Sequence, residues 1–324
     1  MTHFKWVARY GVAVLIAAGL GCGLAQAQAP QAHLTAAQLA NHQEMDQLGL
    51  KYKTAWDLFQ ALKQQAHGGT PITDTTMPDW SGIYVRTKGG TAFDPDGPRQ
   101  GLYPSTANFI PKVAAQLRET VANRKAGVEY DPLSQCNPPT YPRWLDLPFM
   151  KEFMVTPKET WMIAEAFNSI RRIYTDGRGH LSAADAFPTE DGDSIGFWDG
   201  DRLIVHTNSS EGMMYERAQG WYTDKVEGVE IWHKVDGKTL VANTWIYDTN
   251  LQQPWYTRQS YTKLDNPDKT IRINNWYCHG SPNNNVYQTT NGGSQFTKFT
   301  WEKSKDKGSN SSNPAAGADQ EKSK

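Results

Sequence analysis

Residues 171–207, RRIYTDGRGHLSAADAFPTEDGDSIGFWDGDRLIVHT, set Asp-Gly pairs among short β-like runs. Asp-Gly favours the tight turns that join hairpin strands, so Asp176-Gly177 and Asp199-Gly200 each mark a reversal. The segment reads as an antiparallel meander carrying an arginine pair, several carboxylates and the histidines His180 and His206. Polar groups spread over such strands suit a barrel with a lined interior.

Outward from this segment the period-two pattern continues. Strands are expected at 80–86, 152–155, 160–167, 171–174, 194–198, 202–207, 226–234, 239–247, 256–263 and 270–276, and Asp236-Gly237 turns between two of the longest. Some nine to ten strands at this spacing predict a mainly β chain closed as an antiparallel barrel. Val241, Trp245 and Tyr247 alternate with Leu240, Ala242 and Ile246, so that strand is apolar on both faces. One face then lies inside the barrel and the other beneath a covering layer.

Helices at the N-terminal side supply that layer. Within residues 35–66, Tyr52, Ala55, Trp56, Phe59 and Leu62 recur at three- and four-residue spacing. Thr35 with Gln38 resembles a capping box, and His67-Gly68-Gly69 ends the pattern. Residues 111–125 form another helix with Pro111 in its first turn. The expected domains are a leader at 1–27, a helical extension and linker at 28–78, a barrel at 79–302, and a charged, aperiodic, disordered tail at 303–324.

The leader has the features of an export signal. Lys5 and Arg9 give a charged start, residues 12–20 an apolar middle, and Ala25-Gln26-Ala27 a small-x-small cleavage site. Cleavage after Ala27 predicts a periplasmic or secreted protein. Cys22 leaves a lipoprotein as the alternative, with Gly19-Leu20-Gly21 a poor approach to lipid attachment. No stretch has the length expected of a transmembrane helix. The 33 Lys and Arg nearly balance 34 Asp and Glu, so nucleic acid and anionic membranes are not expected partners. Cys136 and Cys278 are the cysteines beyond the leader. An oxidising compartment favours one disulfide between them, with two buried free thiols as the alternative.

Four motifs between and around these cysteines resemble a large family of exported bacterial proteins. They stand here as Cys136-Asn-Pro-Pro-Thr-Tyr-Pro142-Arg143, Arg171-Arg172-Ile-Tyr-Thr-Asp176-Gly177-Arg178, Gly192-Asp193-Ser194-Ile-Gly196-Phe-Trp198-Asp-Gly200-Asp201, and Asp248 followed by Pro254-Trp255. The match covers roughly 80–284, with one departure at Thr140, where the family often carries glycine. The resemblance implies a lipocalin-like barrel and an exported location. It implies no reaction.

Strand alternation selects the candidate site residues. Glu165 shares a face with Trp161 and Ile163, where an unpaired carboxylate is costly; Arg171 or Arg172, one hairpin away, is the expected partner. That pair either fixes the barrel register or forms an acid/base or anion site. His206, on the face of Ile204, is a second acid/base candidate inside the barrel, and Asp176 a third. His233, mid-strand beside Trp232, makes a weaker case. Asp193, Asp199 and Asp201 read as turn formers rather than calcium ligands. His180, His206, His233 and His279 lack the spacing of zinc ligands. Ser194 in Gly192-x-Ser194-x-Gly196 is followed by a strand rather than the helix a nucleophile elbow needs. No phosphate-cradling loop or dinucleotide fingerprint appears, so no cofactor is expected.

These residues predict a barrel that binds a hydrophobic or aromatic small molecule inside, with Trp161, Trp198, Trp232 and Trp245 as stacking surfaces. The alternatives are a cofactor-free isomerase, lyase or hydratase on such a molecule, and an envelope accessory protein without a ligand.

Overall fold

The computed structural model describes residues 36–87, 109–129, 131–212, 221–274, 278, 286–288 and 294–296. The leader, the Thr35 cap and the 303–324 tail lie outside these. In chain order the elements are helices α1 (Ala36–Leu50) and α2 (Ala55–Gln65), strand β1 (Ile83–Arg86), helix α3 (Pro111–Lys125), strand β2 (Val128–Glu129) and the short helix α4 (Arg143–Asp146). Strands β3 (Lys151–Val155), β4 (Glu159–Ala164), β5 (Ile170–Tyr174), β6 (Asp193–Asp199), β7 (Arg202–Asn208), β8 (Glu227–Lys234), β9 (Thr239–Tyr247) and β10 (Trp255–Lys263) follow, then β11 (Val286–Gln288) and β12 (Ser294–Phe296).

Nine strands close a barrel in the order β1-β10-β9-β8-β7-β6-β5-β4-β3, with β3 pairing back onto β1. β11, β12 and β2 form a separate small sheet. The mainly β, lipocalin-like architecture is therefore present, with one departure from antiparallel order. β5 and β6 run parallel, Ile173 opposite Ser194 and Tyr174 opposite Ile195. Parallel neighbours need a long crossover, and residues 175–192 provide it. Asp176-Gly177 opens that crossover instead of closing a hairpin, whereas Asp199-Gly200 does join the antiparallel pair β6 and β7.

Three further boundaries differ from the sequence pattern. The expected single helix breaks at 51–54, where Thr54 Oγ1 accepts the Asp57 N–H at 3.1 Å and starts α2 afresh. Its packed face is Ala55, Leu58 and Phe59, while Trp56 is 42% exposed. The strand expected to reach residue 167 stops at Ala164, because Phe167 and Asn168 take φ of 58° and 52° in a tight turn. Residues 270–274 form no strand.

Alternation sorts the side chains into two layers. Inside the barrel, Trp232 stacks on Tyr261 with ring centroids 5.4 Å apart, Phe153 lies 5.6 Å from Trp232, and Trp80 meets Trp198 at 5.0 Å. Tyr84, Met162, Ile173, Leu203, Val205, Leu240 and Ala242 complete that core. Outside, Ile195, Phe197, Ile204, Val229, Ile231, Trp245, Tyr247 and Tyr256 are covered by α1 and α2. Trp245 Nε1 donates to Met45 O at 2.6 Å, fastening α1 to β9. Burying Leu58 and Phe59 stabilises the α2 contact by about 1.5–3 kcal/mol per side chain. α3 adds a third cluster with Phe109, Val113, Leu117, Ile246 and Trp255. Cys136 and Cys278 are joined as a disulfide across 142 residues.

Candidate functional site

Arg171 faces the barrel interior from β5. Its guanidinium donates to both carboxylate oxygens of Glu230 at 2.9 and 2.6 Å, to Thr207 Oγ1 at 2.6 Å and to Ser194 Oγ at 3.2 Å. Trp232 Nε1 supplies Glu230 with another donor at 2.7 Å. The Tyr141 ring covers the guanidinium at 4.9 Å. Burial opposes the Arg171 charge, but Glu230 outweighs it and holds the group protonated above its ordinary value. Burial and Glu230 together push the Tyr141 hydroxyl well above its own. Every member is buried, and paired charges of this kind fix packing rather than meet solvent.

The segment carrying Tyr141 reaches the same interior. Its Tyr141–Pro142 peptide is cis, Leu145 O accepts the Tyr261 hydroxyl at 2.5 Å, and Leu147 O accepts Lys151 Nζ at 2.7 Å. Burial lowers Lys151 from 10.5 to about 7, and the neighbouring Arg86 acts in the same direction. The axis where the sequence pattern places a ligand is thus occupied by aromatic rings, an ion pair and a buried lysine.

Room exists outside the wall. Because β6 begins at Asp193, opposite the far end of β5, the first residues of β5 have no β6 partner. There the crossover forms an open groove of about 620 Å³ whose walls include Ile170, Arg172, Leu181, Phe187, Asp191 and Asp193. Ile170, Leu181 and Phe187 are 45, 56 and 68% exposed. Exposed apolar side chains gathered in one concavity mark a contact surface. Arg172 sits 4.3 Å over the Trp161 ring, and Arg178 sits 4.1 Å over Tyr174 while paired with Asp176.

Beside the groove runs a chain of titratable groups. Asp193 Oδ2 lies 2.8 Å from His180 Nδ1, and His180 Nε2 lies 2.7 Å from His206 Nδ1. Glu227 Oε2 stands 3.4 Å from His206 Nε2 at the far end. Burial favours the neutral Asp193 carboxyl, but bonds from His180 and the Leu181 N–H reverse this and hold it below 3.8. Burial lowers His206; Glu227 opposes that shift and His180 adds to it. The chain lies outside the barrel, with the Trp56 and Phe59 rings of α2 5.3 and 5.5 Å from His206.

The residues that the sequence pattern singles out therefore separate. Glu165 stands past the end of β4 and does not pair with Arg171, whose partner is Glu230. His206 is under α2 rather than in the interior. Asp176 serves the turn and Arg178, at a partly exposed position. Trp198 and Trp232 are inside the barrel, while Trp161 and Trp245 are outside it. Arg172 and Asp193 do line the groove. Sequence reasoning misses Glu230, although it shares a strand face with Trp232 and Gly228, the same pattern that singles out Glu165. His180 carries no signal, since only the crossover brings it to His206. Among the described residues, no three His, Cys, Asp or Glu side chains gather to hold a metal ion.

No family model and no curated protein matches the chain. Among solved structures, it is similar to one point mutant of the fluorescent protein UnaG at 11% identity, over 36% of this chain and 71% of that one, with a TM-score of 0.23. A second UnaG point mutant matches at 10% identity over 57% of this chain and 95% of that one, with a TM-score of 0.26.

Proposed function

We propose that this chain is an exported barrel protein that binds an amphipathic small molecule in the groove between β5 and the 175–192 crossover. The convergence of exposed Ile170, Leu181 and Phe187 on that groove carries the reading. Export rests on the leader-like residues 1–27 and on the resemblance of the 136–255 motifs to exported proteins. The filled axis favours the wall over the interior as the ligand's position.

Titration calorimetry with naphthylmethanol tests this. Phe187→Ser and Leu181→Ser each remove roughly 1.5–3 kcal/mol of apolar contact, a loss of about tenfold or more in affinity. Trp232→Phe, inside the barrel, changes affinity little. Binding that depends on Trp232 and ignores Phe187 contradicts the proposal.

A second reading, an acid/base enzyme, is favoured by one observation: Asp193 lines the groove and heads the hydrogen-bonded chain to His206. It predicts solvent deuterium wash-in to a bound ligand, slowed roughly 10²-fold by His180→Asn with binding retained. Wash-in at an unchanged rate in that variant refutes it.

A further inference from the structure

The groove also constrains the charge of its ligand, an inference that rests on the reading of it as a binding site. Beside the apolar wall, Glu190, Asp191 and Glu211 line the same concavity. Among the described residues none of the three has an ion-pair partner; Asp191 accepts only the Ser169 hydroxyl, at 2.9 and 3.0 Å. Two arginines line the groove as well. Arg178 is held by both oxygens of Asp176, and Arg172 lies on the Trp161 ring. Arg171, which acts on Asp191 through space, is committed to Glu230. Burial raises Glu190, and the charges of Asp191 and Glu211 add to that; burial raises Asp191 as well. With Asp193, four carboxyl groups line the groove against the two guanidinium groups, so among the described residues a net negative wall sits beside the exposed apolar one. The carboxyl groups are not arranged around a metal-sized point, so the complementary occupant is larger than an ion.

We propose that the groove takes an amphipathic organic cation, an ammonium or amidinium group on an apolar or aromatic body. The charge lies toward Glu190, Asp191 and Glu211, and the body along Ile170, Leu181 and Phe187.

A matched set of probes, naphthylmethylammonium, naphthylmethanol and naphthoate, tests the charge separately from the site. On the protein at low ionic strength, calorimetry should show the ammonium binding roughly tenfold more tightly than the alcohol, and the naphthoate most weakly. The double change Glu190→Gln with Glu211→Gln should remove most of the ammonium's advantage over the alcohol; an advantage that stays at roughly tenfold overturns the cation assignment. Salt near 1 M should erase the same preference. Naphthoate binding as tightly as the ammonium, with sensitivity to Phe187→Ser retained, overturns the cation assignment and leaves the groove standing. No binding by any of the three to folded protein overturns both.

Discussion

Replacing Glu230 with leucine gives a decisive perturbation of the barrel interior. The change removes both acceptors of the Arg171 fork, at 2.9 and 2.6 Å, and leaves the guanidinium with Thr207 and Ser194 alone. The Arg171 side chain is 1% exposed, so water cannot replace the carboxylate. Removing one partner of a buried ion pair costs about 3–5 kcal/mol. Trp232 Nε1 loses its 2.7 Å acceptor as well, which adds about 1–3 kcal/mol. The sum, about 4–8 kcal/mol, is comparable to the whole stability of a domain, about 5–15 kcal/mol. The double variant Arg171→Met with Glu230→Leu removes both charges, and Ser194 and Thr207 still bond each other at 2.9 Å. It should recover most of the loss and fall within about 3 kcal/mol of the parent, because Trp232 Nε1 still lacks its acceptor. Urea denaturation followed by tryptophan fluorescence, with the disulfide intact, measures both variants. A single variant costing under about 1 kcal/mol, or a double variant less stable than the single, refutes the reasoning.

Lys151→Met should stabilise the protein near neutral pH. The folded value near 7 lies below the ordinary 10.5, so the unfolded chain binds an extra proton between these values and stability rises with pH across that window. Removing the amine should gain about 2–4 kcal/mol near pH 6 after the lost bond to Leu147 O, and denaturant titrations should show the gain shrinking toward pH 10. His206, lowered by burial from 6.5, contributes stability that is full above 6.5 and lost as pH falls below it. His206→Gln should therefore flatten the acid limb of a melting-temperature profile; an unchanged limb contradicts the assignment. At Gly228 an added Cβ would overlap the Tyr141 hydroxyl, so Gly228→Ala should cost about 1–3 kcal/mol by thermal melting, with partial rescue by Tyr141→Phe. Reducing the Cys136–Cys278 bond should cost roughly 2–5 kcal/mol, and unreduced denatured protein should show no titratable thiol at these positions.

Local patterns are legible where they decide structure by themselves. Pro111 and the periodicity after it point to α3, and the two-faced apolar run at 239–247 points to both β9 and the covering layer over it. The pattern fails where distant chain segments decide. An Asp-Gly turn signal at 176–177 is the same whether the next strand returns beside its predecessor or crosses over first, so the parallel β5–β6 pair is hidden. His206 shares a face with Ile204, but β7 is apolar on both faces, with Leu203 and Val205 opposite, and alternation alone does not name the inner one. Glu165 misleads because the alternation runs on through a turn at Phe167 and Asn168. Glu230, mid-strand beside Trp232, obeys the same burial argument and is the residue that Arg171 needs.

A crystal structure of the protein soaked with naphthylmethylammonium would locate the ligand outright. Density for the naphthyl ring should lie along Ile170, Leu181 and Phe187, with the ammonium toward Glu190, Asp191 and Glu211. Density on the barrel axis, between Phe153, Trp232 and Tyr261, would contradict this placement.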